Sequence, residues 1–191
     1  MGWPANKKPQ TRQRIVESAA QLFTTKGFDN VSIDEIMKMA QLTRGSFYSH
    51  FPSKEVLYAE AITSAATLSV RAKMPNEVLN EKALLQVLVK NYLSETHLND
   101  EQVPCPLAFL TSDVAHQNDE VRNAYTKAFR RLLIYIAQLM SESPNSEKVL
   151  SLTAMMIGGV AVANSLNDKQ TRQNLLSACE KSAQSIIREN D

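Results

Sequence analysis

Start and stop signals between residues 11 and 57 divide this part of the chain into three short helices, and this division constrains the fold most. The apolar stripe that starts at residue 11 ends at Gly27, because glycine accepts a positive φ at little cost. The capping box Ser32-Ile33-Asp34-Glu35 starts the second helix. Thr43 can cap a third helix, which ends before Pro52. The spacing therefore predicts that the second and third helices are joined by a tight turn.

The third helix, running from Thr43 to about His50, has an apolar side and a polar side. Phe47 and Phe51 lie one helical turn apart, and we predict that both face the protein core. The side chains that then point outward are Thr43, Arg44, Ser46 and Tyr48. A short helix exposed in this way can enter the major groove of B-DNA, which is about 12 Å wide.

The exposed residue types suit contacts with a duplex. Arg44 can donate two hydrogen bonds to a guanine, and Gly45 leaves room for the backbone to approach DNA. Lys54 lies in the first turn of the next helix, where its charge and the helix dipole both favour a phosphate. Residues 1–57 carry eight Lys or Arg and five acidic residues, whereas the whole chain has a net charge of only +1. A basic head on a slightly acidic body indicates that the head alone meets nucleic acid.

The segment TRGSFYSHFPSKE, residues 43–55, resembles the DNA-binding head of the tetracycline-repressor (TetR) family. The segments LFTTKGF (22–28) and SIDEI (32–36) fit the same pattern in the same order, and the resemblance covers Thr11 to Ile62. One departure is Gln41, because the family usually carries a glycine in this turn.

The resemblance implies roles for individual side chains. Thr43, Arg44 and Ser46 would meet bases or nearby phosphates. Tyr48, His50 and Lys54 would hold the DNA backbone. The full predicted DNA-binding set is Ser32, Thr43, Arg44, Gly45, Ser46, Tyr48, His50 and Lys54.

The remainder of the chain also has helical periodicity, and no segment has a clear strand pattern. Six further helices are predicted near residues 53–73, 80–98, 105–115, 118–141, 146–166 and 169–189. The predicted fold is thus all-α, with about nine helices. Its parts are a flexible basic arm (1–10), a helix-turn-helix head (11–57) and a body (58–191) that, by the resemblance, binds an effector and dimerises.

The resemblance implies that the last two helices pair with those of a second copy. Small residues between positions 156 and 163 would allow close helix approach, although the same pattern also fits an internal core helix. The predicted dimer interface consists of Met156, Gly159, Val160, Ala163, Leu175, Leu176, Cys179, Ala183 and Ile186. A homodimer would present its two heads to half-sites about 34–36 Å apart on a palindromic operator.

By the same resemblance, the body holds a pocket for a small-molecule effector. The predicted lining is Tyr92, Cys105, Phe109, Tyr125, Phe129 and Met155, although aromatic residues at helical spacing are commonly core residues. Pro106 can occupy the first turn of a helix, which would place the Cys105 thiol at the positive end of that helix. Cys105 is therefore a candidate electrophile sensor, with a small buried core cysteine as the alternative.

The expected function is a ligand-responsive transcriptional repressor, without enzymatic activity or a cofactor. One alternative is an architectural protein that coats DNA without sequence preference, but the modest net charge disfavours it. Another is a metal-dependent enzyme that uses Glu95, His97, Asp100 and Glu101, although no metal-binding or nucleotide-binding motif is present. The absence of an apolar leader and of a run of about 20 apolar residues predicts a cytoplasmic protein without a membrane span.

Overall fold

The structure is a computed structural model that describes residues 7–77, 79–99 and 105–188. Those residues form helices and connecting turns, with no strand among them. The helices are α1 (Lys7–Lys26), α2 (Ile33–Met39), α3 (Arg44–Phe47), α4 (Lys54–Ala72), α5 (Glu81–Tyr92), α6 (Glu95–Leu98), α7 (Pro106–Phe109), α8 (Thr111–Val114), α9 (Asp119–Met140), α10 (Glu147–Ser165) and α11 (Lys169–Arg188). The all-α prediction is confirmed, with eleven helices in the described ranges instead of about nine.

The two additional helices arise because two predicted helices are each interrupted. The predicted 80–98 helix breaks at Leu93, and the Ser94 side chain then caps α6 by accepting a hydrogen bond from the His97 backbone N–H. The predicted 105–115 helix breaks at Leu110. Two side-chain hydroxyls, from Thr111 and Tyr125, donate to the Leu107 carbonyl there, at 2.7 and 2.6 Å. Side chains that compete for backbone acceptors in this way favour short helical segments.

The N-terminal helix is longer than the sequence pattern predicts. It begins at Lys7, so residues 7–10 of the predicted arm form its first turn, and residues 1–6 lie outside the described part of the chain. The third helix is shorter than predicted, because α3 ends at Phe47 and residues 48–50 form hydrogen-bonded turns. Thr43 is its N-cap residue, as predicted, but the Thr43 side chain makes no capping hydrogen bond.

Half of the predicted capping box forms. The Ser32 hydroxyl accepts a hydrogen bond from the Glu35 backbone N–H at 3.1 Å. The Glu35 carboxylate pairs with Lys26 of α1 at 2.5 Å, which adds a tie between the first two helices.

Helix α4 connects the head to the body. Arg12 of α1 forms an ion pair with Glu60 of α4, and the Arg12 guanidinium lies 4.5 Å from the centre of the Phe51 ring. Further along the chain, α4 packs most extensively on α9, and α10 packs on α11. One continuous core of buried apolar residues extends from the head through the body.

Helix α10 is the only helix in the described ranges that is long and apolar enough to cross a membrane by length and composition. Eight of its residues are buried against the rest of the body, including Thr153. The Thr153 hydroxyl donates to the Val149 carbonyl at 2.7 Å. Buried core helices of globular proteins have the same composition, so the apolar character of α10 is explained by its place in the core.

Candidate nucleic-acid interface

The two phenylalanines that flank the end of α3 support it from below. Phe47 and Phe51 are fully buried, with their ring centres 5.9 Å apart, as the helical spacing predicts. They lie in the same core as Ile15, Phe23 and Ile36, all of which are also fully buried. A short helix such as α3 has little stability alone, so this packing holds it in position.

The turn between α2 and α3 has a left-handed residue at its centre. Gln41 has φ +56°, the backbone conformation that a glycine adopts most easily. The Leu42 N–H donates to the Met37 carbonyl at 2.8 Å, which closes the turn. The departure at Gln41 therefore changes the residue but retains the conformation, at a cost of about 1–2 kcal/mol relative to glycine before chain entropy is counted.

Predicted contact residues form an exposed surface along α3. The Tyr48 side chain is 59% exposed, and its ring stands edge-on to the buried Phe47 ring at 5.1 Å. No atom of the described residues lies within 4 Å of the position where a Cβ on Gly45 would be, so the backbone here is open to a ligand. Thr43 is exposed and Ser46 is half-buried on the same short segment.

Arg44 has an acidic partner at this surface. Its guanidinium donates to the Asp34 carboxylate at 2.6 Å, and both side chains are more than half exposed. An exposed ion pair of this kind contributes little stability. Arg44 can therefore exchange Asp34 for a guanine edge or a phosphate at small cost.

Lys54 has partners within the head. Its ammonium group donates to the Phe28 carbonyl at 2.5 Å and lies 4.1 Å from the centre of the Phe28 ring. Burial lowers the pKa of Lys54, while nearby carboxylates partly offset this shift. The resemblance implies that Lys54 contacts a DNA phosphate. Its ammonium group would make that contact either in addition to the Phe28 contacts or in place of them.

His50 lies beside α1 with one ring nitrogen enclosed. The His50 Nδ1 atom is buried and has no hydrogen-bond partner within the described residues. Burial, then Lys8 and Arg12, lower the pKa of His50. The ring is therefore held near cations that favour its neutral form, and an approaching phosphate would raise the pKa again.

No sequence signal selected Asp113 of α8, yet it connects the body to the head. Its carboxylate accepts a hydrogen bond from the Phe28 backbone N–H at 2.8 Å and one from the Tyr58 hydroxyl at 2.9 Å. A Cβ on Gly27 would lie 2.9 Å from the Asp113 carboxylate, and Gly27 has φ +77°. Gly27 thus ends α1 and also allows this close approach, and only the first of these roles follows from the sequence pattern.

The comparisons with known proteins agree with this geometry. The sequence profile of the family described as "Bacterial regulatory proteins, tetR family" matches residues 15–61. Residues 15–61 thus form a TetR-type DNA-binding head. The HTH-type transcriptional regulator YdgC of Bacillus subtilis is 41% identical to this chain over 58 residues, which is 30% of each chain. The HTH-type transcriptional regulator YerO of the same species is 27% identical over 155 residues, covering 79% of this chain and 53% of YerO.

The similarity in fold extends further than the matched head. The crystal structure of reduced E. coli NemR superposes with a TM-score of 0.74, covering 90% of this chain and 96% of NemR, at 18% sequence identity. Identity this low shows a shared fold and nothing finer. The chain spans under a third of YdgC and about half of YerO, so operator, effector and assembly are matters for proposal.

The residues predicted to line an effector pocket lie in the interior of the body. Tyr92 and Cys105 are fully buried, and the Tyr92 hydroxyl lies 3.0 Å from the Cys105 sulfur. The His97 ring stands edge-on to both the Tyr92 and the Phe109 rings. Tyr125, Phe129 and Met155 are half-buried around the same core. None of these six residues is among the described residues that line the cavity between α4 and α9.

The Cys105 site has the predicted local geometry, with Cys105 as the N-cap of α7 and Pro106 at its first position.

The acidic and histidine residues proposed as a metal site have other partners. Glu95 bonds to Arg172 at 3.4 Å, and the His97 ring bonds to the Tyr92 carbonyl at 2.6 Å. Asp100 and Glu101 lie outside the described residues, as do Val103 and Pro104.

Six of the nine residues predicted for the dimer interface are buried within the chain itself. The buried six are Met156, Gly159, Val160, Ala163, Leu176 and Ala183. A Cβ on Gly159 would lie only 3.0 Å from the Cys179 sulfur, so the small residue allows α10 to approach α11 of the same chain. The other three, Leu175, Cys179 and Ile186, are half-buried and remain partly accessible.

A different face of α10 is exposed. Leu150 and Val162 are 41% and 53% exposed, and Ala154 and Gly158 lie between them at intervals of four residues. Residues four apart share one face of a helix, so these side chains form a narrow apolar stripe. No described side chain covers Gly158, since nothing lies within 4 Å of its Cβ position.

Proposed function

We propose that this protein is a TetR-family transcriptional regulator that reads operator DNA with α3 and the turn before it. The observation that carries the proposal is the contrast between the two sides of this segment. Phe47 and Phe51 are buried, while Arg44, Gly45 and Tyr48 are presented to solvent on a support that cannot tilt freely. Base edges are read by side chains held in this way.

Selection of bound sequences from a random DNA pool tests the proposal, followed by binding measurements on the recovered site. Arg44→Ala is expected to weaken binding to that site by about 1–3 kcal/mol, because a bidentate contact with guanine is lost. Arg122→Ala is the matched control, since Arg122 is also an exposed arginine near an aspartate, Asp119, at 3.9 Å. Equal affinities of the two variants would contradict the proposed reading surface.

The same experiment separates an operator-specific regulator from an architectural DNA-binding protein. A regulator yields one recovered motif, and Arg44→Ala reduces binding to that motif more than to unrelated DNA. An architectural protein yields no motif, and its affinity falls steeply with salt for every sequence because phosphate contacts dominate.

We infer that the protein acts as a cytoplasmic homodimer on a palindromic operator. The exposed stripe of Leu150, Ala154, Gly158 and Val162 supports this assembly, together with the half-buried side chains of α11. Small residues allow two helices to approach closely, and a two-fold axis brings the same stripe of each copy together. Sedimentation of the full chain tests the assembly, and a monomer at micromolar concentration would contradict it.

We further propose that the regulator is a repressor and that a small molecule bound in the body releases it from DNA. Asp113 supports this coupling, because it connects α8 of the body to the Phe28 backbone of the head. A ligand can release DNA only if it binds the DNA-free arrangement more tightly than the DNA-bound one. An effector with equal affinity for free and DNA-bound protein would contradict this mechanism.

A further inference from the structure

A cavity of about 170 Å³ lies in the body between α4, α7 and α9. Its walls are mainly aliphatic, and the apolar lining residues are Ala66, Val70, Leu107, Ala128 and Leu132. Such walls favour an apolar ligand part by removing its surface from water. The cavity is smaller than the roughly 300–1,000 Å³ of sites for drug-sized molecules, so it suits a smaller compound.

The charge in the cavity lining is positive. Among the described residues, Arg131 is the one charged residue in its lining, and none of the described lining residues is acidic. Within the described part of the chain, Arg131 forms no hydrogen bond or ion pair, whereas Arg12, Arg44 and Arg172 each have a carboxylate partner. The guanidinium of Arg131 is thus available to a ligand at the edge of an apolar cavity.

The other polar groups of the lining use their protons within the protein. The Thr63 hydroxyl donates to the Ala59 carbonyl, and the Thr67 hydroxyl donates to the Thr63 carbonyl, both at 3.1 Å. The Tyr135 hydroxyl is directed to the Met74 sulfur at 3.5 Å. Arg131 is therefore the donor that remains for the polar end of a ligand.

We propose, building on the effector response proposed above, that this cavity binds a small amphipathic anion. Its apolar part lies between α4 and α9, and its carboxylate accepts hydrogen bonds from Arg131. Arginine suits this role because its planar guanidinium donates two parallel hydrogen bonds to a carboxylate. A neutral apolar compound would gain the same binding free energy from burial against the walls, but it would offer no acceptor to the Arg131 guanidinium.

Occupancy of the cavity acts on the element that holds the head. The Leu107 side chain lines the cavity, and the Leu107 carbonyl accepts hydrogen bonds from Tyr125 and Thr111. Helix α7, which carries Leu107, leads directly into α8 and Asp113. A ligand that displaces Leu107 therefore alters the position of the carboxylate that binds the Phe28 N–H.

Calorimetric titration of the full-length protein tests this proposal with octanoate, benzoate and octan-1-ol as probes. We expect saturable binding of at least one carboxylate and weaker binding of the alcohol. Arg131→Gln is expected to weaken carboxylate binding by about tenfold or more, because a charge-assisted contact is lost. Arg130→Gln is the matched control, since Arg130 is the exposed neighbour on α9 that does not line the cavity.

Three results would overturn the proposal: no carboxylate binds at millimolar concentration, the alcohol binds as tightly as octanoate, or Arg131→Gln and Arg130→Gln bind octanoate equally. The effector response is judged separately by adding each probe to the protein–operator complex. Arg131-dependent binding of octanoate without release of DNA would support the site and contradict the effector response. Release of DNA by octan-1-ol alone would support an effector response and overturn an anionic ligand.

Discussion

Replacing Asp113 with alanine should destabilise the protein by removing the tie between body and head. The substitution deprives the Phe28 N–H and the Tyr58 hydroxyl of their acceptor, at 2.8 and 2.9 Å. Tyr58 is fully buried, so its hydroxyl has little access to water once the acceptor is lost. A buried donor without a partner costs about 1–3 kcal/mol, and the Phe28 N–H is only partly shielded, so we expect a total loss of about 2–4 kcal/mol.

Urea denaturation measures this loss, and Asp119→Ala is the control. Asp119 is also an acidic residue of the body, but its side chain is 93% exposed in the first turn of α9. Its removal should cost at most about 1 kcal/mol, the value of a favourable charge near a helix N-terminus. A loss below about 0.5 kcal/mol for Asp113→Ala, or equal losses for the two variants, would refute this account of Asp113.

Asp113→Asn distinguishes a coupling role from a stabilising one. The amide retains one acceptor oxygen and the shape of the side chain, so about half of the stability loss is expected. Suppose that Asp113 couples ligand binding in the body to the head. The Asp113→Asn variant should then remain folded and bind operator, but a higher ligand concentration should be needed to release it from DNA. If DNA release depends on ligand concentration in the same way as in the wild type, Asp113 has a structural role only.

Three further perturbations test the reading surface and the dimer. Gly45→Ala should stabilise the folded chain by about 0.5–1 kcal/mol, because the methyl group meets no atom within 4 Å, yet it should weaken operator binding. Loss of both stability and binding would instead indicate a structural need for glycine. Val162→Glu should shift sedimentation toward the monomer, whereas Ile134→Glu, at a similarly exposed position on α9, should not. The lowered pKa of His50 means that its contribution to stability is present above about pH 6.5 and is lost as the pH falls through the lowered value. Because a DNA phosphate would raise that pKa, operator affinity should increase on acidification in the wild type more than in His50→Gln, and parallel pH profiles would exclude a phosphate contact.

Local signals in the sequence predicted the head well because each has a mechanism that acts over a few residues. Gly27 ends α1, the Ser32 side chain caps α2, and the spacing of Phe47 and Phe51 places both rings in the core. A helical stripe is a property of one segment, so its buried side follows from periodicity alone. The all-α fold follows for the same reason.

Predictions about the body depended on which neighbour each side chain meets. The small residues around Gly159 indicated close helix packing correctly, but the partner is α11 of the same chain instead of a second copy. The aromatic residues near Tyr92 were predicted to line a pocket, yet Tyr92 and Phe109 both pack against the His97 ring. Periodicity identifies an apolar face and carries no information on what covers it.

Local sequence signals were enough to predict the helices of the head, the buried side of α3 and the family that the head resembles. The contact of Asp113 with the Phe28 backbone, 85 residues away, and the place of Arg131 beside an apolar cavity, with no partner among the described residues, came from the tertiary fold. The physical reason is the range of the interactions. Capping and helical periodicity involve residues within one or two turns, whereas hydrogen bonds and cavities between helices depend on contacts that no local pattern specifies.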